Sequence, residues 1–549
     1  MATDLTLRPF FWRATNLFPE KEVVSRTHQG QTRYTYGEFG ERVRRLASAL
    51  EALGVESGDR VGTLGWNHHR HFEAYYAAPL MGAQLHTVNL LLHDDHVEHI
   101  VTDAADDVLL VDPDAVDTVE RLWDAFDSVE AVVVMGDEDA VPDSDSDSDA
   151  DLPIYGYESL LDDHDPVDSW PGVDEDAPAG MCYTSGTTGK PKGVEYTQKM
   201  IYSHAMMAAT PAAQNVDEDD VVMPVVPMFH VNAWEFPYTV TLAGAKPVFP
   251  GPSPDSEDLV RLIEEEGVTL TAGVPTVWID LLDYLDEHGG DLSSLERIIV
   301  GGSAAPRQVM RRFEDEYGVK MEHAWGMTET MSIGSMSRPK STMDLDGDGE
   351  SYEVRSKQGL LSPGLEMKVV DDDGEEVPWD GESFGELYVR GPTVVDEYFE
   401  RPEANETDFE DDEGGRWLKT GDVVTVDENG YIEIVDRAKD VIKSGGEWIS
   451  SIELENELMG HEDVVEAAVV SVSHERWQER PLACVVRKEG TDVDAEDLRE
   501  FLADDYPKWW LPDNVLFIEE VPKTATGKFD KKQLREDIED PDLPYTPGE

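Results

Sequence analysis

The chain has 549 residues, of which 40% are hydrophobic, and its 118 acidic and 44 basic residues give a net charge of −74. This length indicates more than one domain, and the hydrophobic fraction is sufficient for several cores. A surface this acidic disfavours nucleic acids and anionic membranes as partners, because both carry negative charge that repels it.

Apolar periodic segments and 13 tryptophans separate the charged residues, which argues against disorder of the chain as a whole. Dispersed acidic residues on a folded protein are typical of a high-salt cytoplasm, where salt shortens the range of self-repulsion. Cys182 and Cys484 lie far apart in apolar runs, as expected in a reduced compartment. We find no signal pattern and no apolar run of about 18 residues, and therefore expect a cytoplasmic protein without a transmembrane segment.

The first part of the chain, about residues 36–134, alternates helical and strand patterns. A helix is predicted at residues 37–50, and strands at 59–65, 108–111 and 131–135. This alternation predicts a parallel sheet covered by helices. Residues 136–151 then become acidic and rich in serine, which predicts a solvated loop.

A second alternating block covers about residues 173–336, with strands predicted at 221–227 and 297–300 and a helix at 255–266. Residues 340–435 hold shorter strands broken by Gly, Pro and Asp, at 366–370, 385–389 and 431–435, and predict a small barrel or sheet. A final segment of βα type runs to about residue 538, and residues 539–549 are predicted to be a flexible tail.

Two patterns resemble metal sites without satisfying their requirements. The segment Asp344–Glu350 begins like a calcium loop, but the twelfth position holds Arg355 instead of a bidentate glutamate. His93, His96 and His99 recur every three residues, which is compatible with metal ligation or with an ordinary polar helix face. We favour an acidic loop for the first pattern and a polar helix face for the second.

A glycine-rich segment carries the strongest chemical signal: Tyr183-Thr-Ser-Gly-Thr-Thr-Gly-Lys-Pro-Lys-Gly193. Its hydroxyl groups and backbone amides can form an anion-binding concavity, and its lysines add positive charge, which suits a polyphosphate. Its spacing differs from the common nucleotide loop G-x-x-x-x-G-K-S/T. The alternative, a flexible surface loop, is disfavoured because the apolar run before the segment predicts a buried strand.

Further segments with chemical potential follow in order. They are 226–234, with an aromatic-rich turn; 301–306, with small residues after an apolar strand; 323–330, with the carboxylate of Glu329; and 420–422, with that of Asp422. Core packing is the alternative for the aromatic residues of the first segment. A carboxylate oxygen is a preferred ligand of Mg²⁺, and a carboxylate on a turn can bind both ribose hydroxyls.

Together with residues 436–450 and 522–528, these segments resemble, in order, the motifs of the acyl-adenylate-forming superfamily of acyl-CoA synthetases, peptide-synthetase adenylation domains and luciferases. Segment 226–234, the run Lys443–Ser451 and the run Trp477–Pro481 are most similar to those of medium- and long-chain fatty-acyl-CoA synthetases. The resemblance implies an α/β fold. It consists of a large N-terminal region of two mixed or parallel sheets with helices and a small β-barrel subdomain, followed by a mobile small α+β C-terminal domain.

The resemblance also implies roles for residues of this chain. Glu329, Lys439 and Lys528 would be catalytic, Lys439 as the hinge between domains, and Thr184 and Glu329 would hold Mg²⁺. The residues expected to bind ATP or coenzyme A are Thr184, Ser185, Gly186, Thr187, Thr188, Gly189, Lys190, Lys192, Gly302, Ser303, Ala304, Trp325, Gly326, Thr328, Asp422, Arg437, Lys443, Gly445 and Gly446. The residues expected to contact the acid are Phe229, His230, Val231, Trp234 and Trp448. Trp325 occupies a position where the superfamily more usually has Tyr, and either ring can stack on adenine.

The implied function is an ATP- and Mg²⁺-dependent acyl-CoA ligase, with coenzyme A as co-substrate. Its domains would cover residues 1–435 and 442–538, joined by a hinge at 436–441, and it could form a homodimer. The enzymatic alternatives are adenylation of an aromatic or other small carboxylic acid and loading of a carrier-protein thiol. A non-catalytic acyl-nucleotide sensor is disfavoured because Lys192, Glu329 and Lys528 are all present, and an acidic nucleic-acid mimic would explain none of the motifs.

Overall fold

The structure is a computed structural model. It describes the chain except residues 1–2, 29, 137–152, 185–189, 304–305, 344, 346–347, 372, 438–439, 445–446, 462, 475, 489, 504–505, 524–528 and 539–549, and except the side chains of 348–350 and 447–448.

One large sheet has seven strands and is built mainly from the first part of the chain. Its order is Ile154–Gly156, Ala131–Val134, Val108–Val111, Arg60–Leu64, Gln84–Thr87, Pro178–Tyr183 and Gly193–Thr197. The strands are parallel except for the last, which pairs antiparallel with its neighbour. The glycine-rich segment therefore connects the two strands of a hairpin at one edge of this sheet.

The second large sheet has nine strands. Its order is Leu360–Leu361, Ser335–Met336, Lys320–Trp325, Arg297–Val300, Leu270–Gly273, Val221–Pro224, Lys246–Phe249, Glu22–Thr27 and Gly30–Thr35. The central strands are parallel, and the pairings at both edges are antiparallel. The two mixed sheets predicted from the sequence are both present.

Helices cover these sheets and pack between them. They are Arg8–Leu17, Tyr36–Ala52, His69–Met81, Asp94–Ala104, Val116–Leu122, Tyr157–Asp162, Gln198–Ala208, Phe236–Ala243, Ser256–Glu266, Pro275–His288, Arg307–Tyr317, Asp348–Ser356 and Pro402–Thr407. The sequence sets their ends locally. A capping box of Thr35 and Glu38 begins one helix, and the Asp255 side chain accepts a hydrogen bond at the start of another.

Aromatic side chains from the helices fill the space between the large sheets. Phe39 and Phe72 stack with ring centroids 4.6 Å apart, and Tyr76 meets Phe39 edge-on at 5.6 Å. All three are buried. Such ring pairs add to the stability gained by burying the rings themselves. This packing supports the helix His69–Met81, whose side chains reach the candidate site.

A third, antiparallel sheet lies in the region predicted to be a barrel or sheet. Its strands are Glu366–Val370, Phe384–Arg390, Gly415–Val426, Phe409–Asp412 and Ile432–Arg437. The last two both pair with the same long strand, Gly415–Val426. The small barrel or sheet predicted for residues 340–435 is thus present as a sheet, in which two short strands share one edge of the long strand.

The C-terminal part has its own sheet and core. Its strands are Glu447–Ile449, Ile442–Ser444, Gln478–Arg487, Val464–His474 and Asn514–Phe517, and its helices are Ser451–Met459, Ala495–Leu502 and Lys531–Ile538. The buried Leu454, Leu458 and Val469 belong to this separate core. This is the small α+β region expected from the sequence.

The metal-like sequence patterns and the cysteines are placed as follows. Arg355 lies on the helix Asp348–Ser356 and forms a 2.5 Å ion pair with Glu314. His99 lies on a helix with its Nε2 3.4 Å from the Pro191 carbonyl oxygen. The described residues contain no group of three His, Cys, Asp or Glu side chains able to hold a metal ion. Cys182 and Cys484 are buried free thiols. No helix in the described part of the chain is both long and apolar enough to cross a membrane.

Candidate active site

Three predicted nucleotide residues from separate segments meet at the carboxylate of Asp422. The Trp325 indole Nε1 donates to Asp422 Oδ2 at 2.8 Å, and Arg437 Nε lies 2.8 Å from Asp422 Oδ1. Asp422 and Arg437 are paired opposite each other on adjacent strands, whereas Trp325 ends a strand of the nine-stranded sheet. Asp422 is only 1% exposed, so the charge-assisted bonds form in a place with little competing water.

Close contacts at two glycines fix the position of the segment that carries Trp325. A Cβ atom at Gly326 would lie 1.4 Å from the Ser332 carbonyl oxygen, so no larger residue fits there. A Cβ at Gly334 would lie 2.3 Å from the Trp325 ring, so the ring rests against bare backbone. These two glycines hold the indole in the orientation that reaches Asp422.

Glu329, the predicted magnesium ligand, lies just beyond this segment, on the short 3₁₀ helix Thr328–Thr330. The Tyr398 hydroxyl donates to Glu329 Oε1 at 2.7 Å, and the Val395 amide donates to the Glu329 carbonyl oxygen at 3.0 Å. Burial, together with the nearby Glu329 carboxylate, raises the pKa of the Tyr398 phenol above its usual range. Tyr398 therefore remains a hydrogen-bond donor to the carboxylate.

Lys192 is linked to the same tyrosine. Its ammonium group lies 3.8 Å from the Tyr398 ring centroid and 2.8 Å from Asp408 Oδ2. The cation thus lies over an aromatic face while paired with a half-buried carboxylate. Lys192 and Glu329, which the sequence assigned to phosphate and magnesium, thus contact the same tyrosine, one at its ring and the other at its hydroxyl.

The ends of the glycine-rich segment are held together by Thr184 and Lys192. The Thr184 amide donates to the Lys192 carbonyl oxygen at 3.0 Å, and the Lys192 amide donates to Thr184 Oγ1 at 3.2 Å. Lys190 is exposed. Residues 185–189 lie between these ends and outside the described residues.

Thr328 is buried, and its carbonyl oxygen accepts a 2.7 Å hydrogen bond from the Tyr196 hydroxyl. Tyr196 lies on the strand Gly193–Thr197, which follows the glycine-rich segment. This bond connects the edge of the seven-stranded sheet directly to the Glu329 segment.

The predicted acid-binding residues lie around a left-handed turn. Residues 231–235 have φ values of 41°, 52°, 50°, 53° and 61°. Left-handed backbone costs non-glycine residues about 1–2 kcal/mol each, least for asparagine and most for β-branched residues such as Val231. Five in succession indicate a conformation that the surrounding structure imposes.

The side chains of Phe229, Val231 and Trp234 are buried, and that of His230 is half-buried. The Phe229 ring meets Trp66 edge-on at 5.4 Å. The Trp234 indole lies against Gly301, where a Cβ would be 3.2 Å from the ring. Gly302 and Ser303 follow Gly301 and are exposed. Because the indole lies against Gly301, the turn with the predicted acid-binding residues contacts the start of the predicted adenylate segment.

Other predicted residues lie outside the described residues or away from this cluster. Ser185, Gly186, Thr187, Thr188, Gly189, Ala304, Lys439, Gly445, Gly446, Lys528 and the Trp448 side chain are outside the described residues. Lys443 is exposed on a C-terminal strand, where its amide donates to Glu479 at 2.8 Å. The roles assigned to these residues, including contact of Trp448 with the acid, remain predictions.

The structure adds Tyr398, Asp408 and Glu235, which the sequence reasoning did not single out. Tyr398 and Asp408 lie between motifs in a segment with ordinary surface composition. Glu235 directly follows the aromatic-rich turn. No spacing rule marks these three residues, because each acts through a contact with a residue distant in sequence or through burial.

Comparison with known proteins identifies the family of the chain. The family model of the AMP-binding enzyme matches residues 11–399, and that of the AMP-binding enzyme C-terminal domain matches residues 453–528. A long-chain-fatty-acid–CoA ligase of Thermus thermophilus is 46% identical, over 98% of this chain and 96% of the relative. A 3-methylmercaptopropionyl-CoA ligase of Ruegeria lacuscaerulensis is 41% identical, over 98% of each chain.

The fold is that of a solved anthranilate CoA ligase in complex with anthranoyl-AMP, with a TM-score of 0.86 and 24% identity over 98% of each chain. The predicted fold class and the resemblance to adenylate-forming enzymes are thereby confirmed. The family models together match most of the chain, from the helix before the first strand to the C-terminal region. The chain belongs to the AMP-binding enzyme family.

Proposed function

We propose that this protein is an AMP-forming acyl-CoA ligase that activates a fatty acid with ATP and transfers the acyl group to coenzyme A. The observation that carries the proposal is the meeting of Trp325, Asp422 and Arg437, from three separate segments, at one buried carboxylate. The relatives support the same reaction class, since both are CoA ligases that align over nearly their whole length.

The reaction has two steps. A carboxylate oxygen of the acid attacks the α-phosphorus of ATP, which gives acyl-AMP and releases pyrophosphate. The thiol of coenzyme A then attacks the acyl carbon, and AMP leaves. The first step depends on positioning and charge neutralisation. Asp422 would bind the ribose, Lys192 the phosphates, and Lys528 the charge that develops between the acid and the α-phosphate.

The residues present fit a magnesium ion. Glu329 and Thr184 provide a carboxylate and a hydroxyl, both hard oxygen ligands of the kind Mg²⁺ prefers. The Tyr398 bond engages one carboxylate oxygen, and a carboxylate has further acceptor capacity. When bound, the ion neutralises phosphate charge.

The second step would require the C-terminal domain to turn, with domains at residues 1–435 and 442–538 and Lys439 in the hinge between them. Support comes from contacts around the junction. Asp436 accepts a 2.8 Å bond from the Ser451 amide, and Asp440 Oδ1 lies 2.8 Å from an Arg535 nitrogen. A few residues at such a junction can absorb a large rotation.

The net charge of −74 and the two buried free cysteines support a reducing, high-salt cytoplasm as the working environment, in which the protein could form a homodimer.

Pyrophosphate release by the purified protein, measured with a panel of acids with and without coenzyme A, tests the reaction. Release with C8 to C18 acids and acyl-CoA formation are expected. The Ruegeria relative favours a second candidate, a small carboxylic acid. Turnover confined to short or aromatic acids would support that alternative. Release without any coenzyme A dependence would favour a carrier-protein thiol as acceptor.

A further inference from the structure

The left-handed turn at residues 231–235 is held by the side chain of Asn232. Its Oδ1 lies 3.3 Å from the Thr87 hydroxyl and the Cys182 thiol, each of which can donate to it. The Tyr75 hydroxyl lies at the same distance, but its single proton is donated to the Met228 carbonyl oxygen at 2.6 Å. Its Nδ2 donates to Glu235 Oε1 at 3.0 Å. Asn232 thus ties the turn to two strands of the seven-stranded sheet, and also to the last residue of the turn.

Glu235 closes the turn from its other end. Its amide donates to the Asn232 carbonyl oxygen at 2.9 Å, and its side chain is fully buried. Its second carboxylate oxygen, Oε2, is buried and has no hydrogen-bond partner among the described residues. Burial raises the pKa of Glu235 to about 8, although the Asn232 bond favours the charged form. A buried carboxyl group without a cation is stable as the neutral acid.

The titratable groups facing Glu235 come from every element that surrounds it. They are Tyr75 and Tyr76 of the helix His69–Met81, Cys182 of the strand Pro178–Tyr183, Tyr196 of the strand Gly193–Thr197 and Tyr238 of the helix Phe236–Ala243. Each of them is uncharged at neutral pH, because burial raises its pKa as well. Ionisation of Glu235 would therefore place an uncompensated charge beneath the turn.

The turn reaches the reacting region through Trp234. The Gln214 side-chain amide donates to the Trp234 carbonyl oxygen at 2.7 Å, and the indole lies against Gly301. Gly301 lies beside the Ala324 carbonyl oxygen, one residue before Trp325. A shift of the turn would move the indole relative to the strand ends that carry the predicted adenylate segment.

We propose that Asn232 and Glu235 are positioning residues, which lock the left-handed turn and fix the Trp234 indole as a wall of the acid pocket, and so determine which acids are accepted. The inference rests on the proposed function and names a determinant of its acid selectivity. The contacts of Asn232 and the burial of Glu235 account for the occurrence of a strained backbone and a buried carboxyl group in the same turn.

Two variants remove the interactions. Asn232→Gly deletes the side chain, while glycine tolerates the left-handed φ. Glu235→Ala deletes the carboxyl group. We expect the KM for the acid to rise about tenfold, as loss of one or two hydrogen bonds allows. The preference among C8 to C18 acids should change as well, while the KM for ATP stays within about twofold, because the Asp422 cluster is not altered. Tyr238→Phe is the matched control, since its buried hydroxyl has no partner among the described residues.

Glu235→Gln separates positioning from folding. The raised pKa means that the stability contributed by protonated Glu235 is complete below its ordinary pKa of 4.5 and is lost as the pH rises to about 8. The parent and Glu235→Gln should therefore have similar melting temperatures near pH 5. Near pH 9 the variant should have the higher melting temperature of the two. Over the same interval the KM for the acid should rise in the parent and in Tyr238→Phe, and stay flat in Glu235→Gln.

The outcomes can be told apart. Pyrophosphate release with no acid at all by the parent would overturn the proposed function. Acid-dependent release with one chain-length profile shared by the parent, Asn232→Gly and Glu235→Ala would overturn only the positioning role. If Glu235→Ala does not fold, the pH profile of Glu235→Gln decides. If the KM for the acid depends on pH in Glu235→Gln as it does in the parent, the inference is rejected.

Discussion

Trp325 and Asp422 are joined by a 2.8 Å hydrogen bond from the indole N–H to a carboxylate oxygen. The other oxygen of Asp422 is bound to Arg437, so the carboxylate is oriented from two sides. The tryptophan that replaces the more usual tyrosine thus couples the predicted adenine segment to the predicted ribose ligand. The two predicted parts of the nucleotide site are therefore connected by a direct hydrogen bond.

Asp422→Asn should lower kcat/KM for ATP by about 10- to 100-fold, because hydrogen bonds to a charged group are typically worth about 1.5–3 kcal/mol. Trp325→Phe keeps a ring but loses the N–H donor, and should cost roughly three- to tenfold. Steady-state kinetics with ATP and acid varied separately test both. An effect confined to the KM for the acid would contradict a ribose role for Asp422.

The sequence predicted these residues separately but not their contacts. The buried strand before the glycine-rich segment, and most of the strand that ends at Arg437, follow from apolar patterns that burial imposes. The strand that ends at Trp325 was not predicted. Tyr398 and Glu235 carry no such pattern. Their importance comes from a bond to Glu329 and from burial under a left-handed turn, and both depend on packing between segments far apart in the chain.

Glu329→Gln should lower ATP-dependent turnover and raise the magnesium concentration needed for half-maximal rate, because a charged oxygen ligand becomes a neutral amide. Tyr398→Phe is the matched variant. It removes the 2.7 Å bond to the same carboxylate but leaves its charge, and should change the magnesium requirement much less. A magnesium titration of Glu329→Gln that overlays that of the parent would show that Glu329 is not the ligand.

Folding and activity should require salt on the order of 1 M. The Debye length is about 10 Å at 0.1 M and 3 Å at 1 M, so dilute buffer allows the net charge of −74 to repel over much longer distances. Circular dichroism and activity in a potassium chloride series test this. Sucrose is the control, because it favours the compact state without screening charge. Full structure in dilute buffer would remove the halophilic interpretation.

Lys528→Ala should abolish formation of acyl-AMP and leave thioester formation from pre-made acyl-AMP largely intact. Lys528 lies outside the described residues, but the residues that flank its segment are paired: Lys523 bridges to Phe529, and the Asp530 amide donates to the Pro522 carbonyl oxygen at 2.7 Å. A cation delivered where two anions meet stabilises developing charge, and its removal typically costs about 10²–10³ in rate.

Lys532→Ala provides the matched control for Lys528→Ala, since Lys532 is four residues further along and its side chain is 65% exposed. It should leave both half-reactions within about twofold of the parent, as expected for a solvent-exposed charge. Pyrophosphate release measures the first half-reaction, and acyl-CoA formation from synthetic acyl-AMP measures the second. Because a lysine needed only to neutralise charge at the α-phosphate has no task once acyl-AMP exists, equal losses in both half-reactions would refute the role assigned to Lys528.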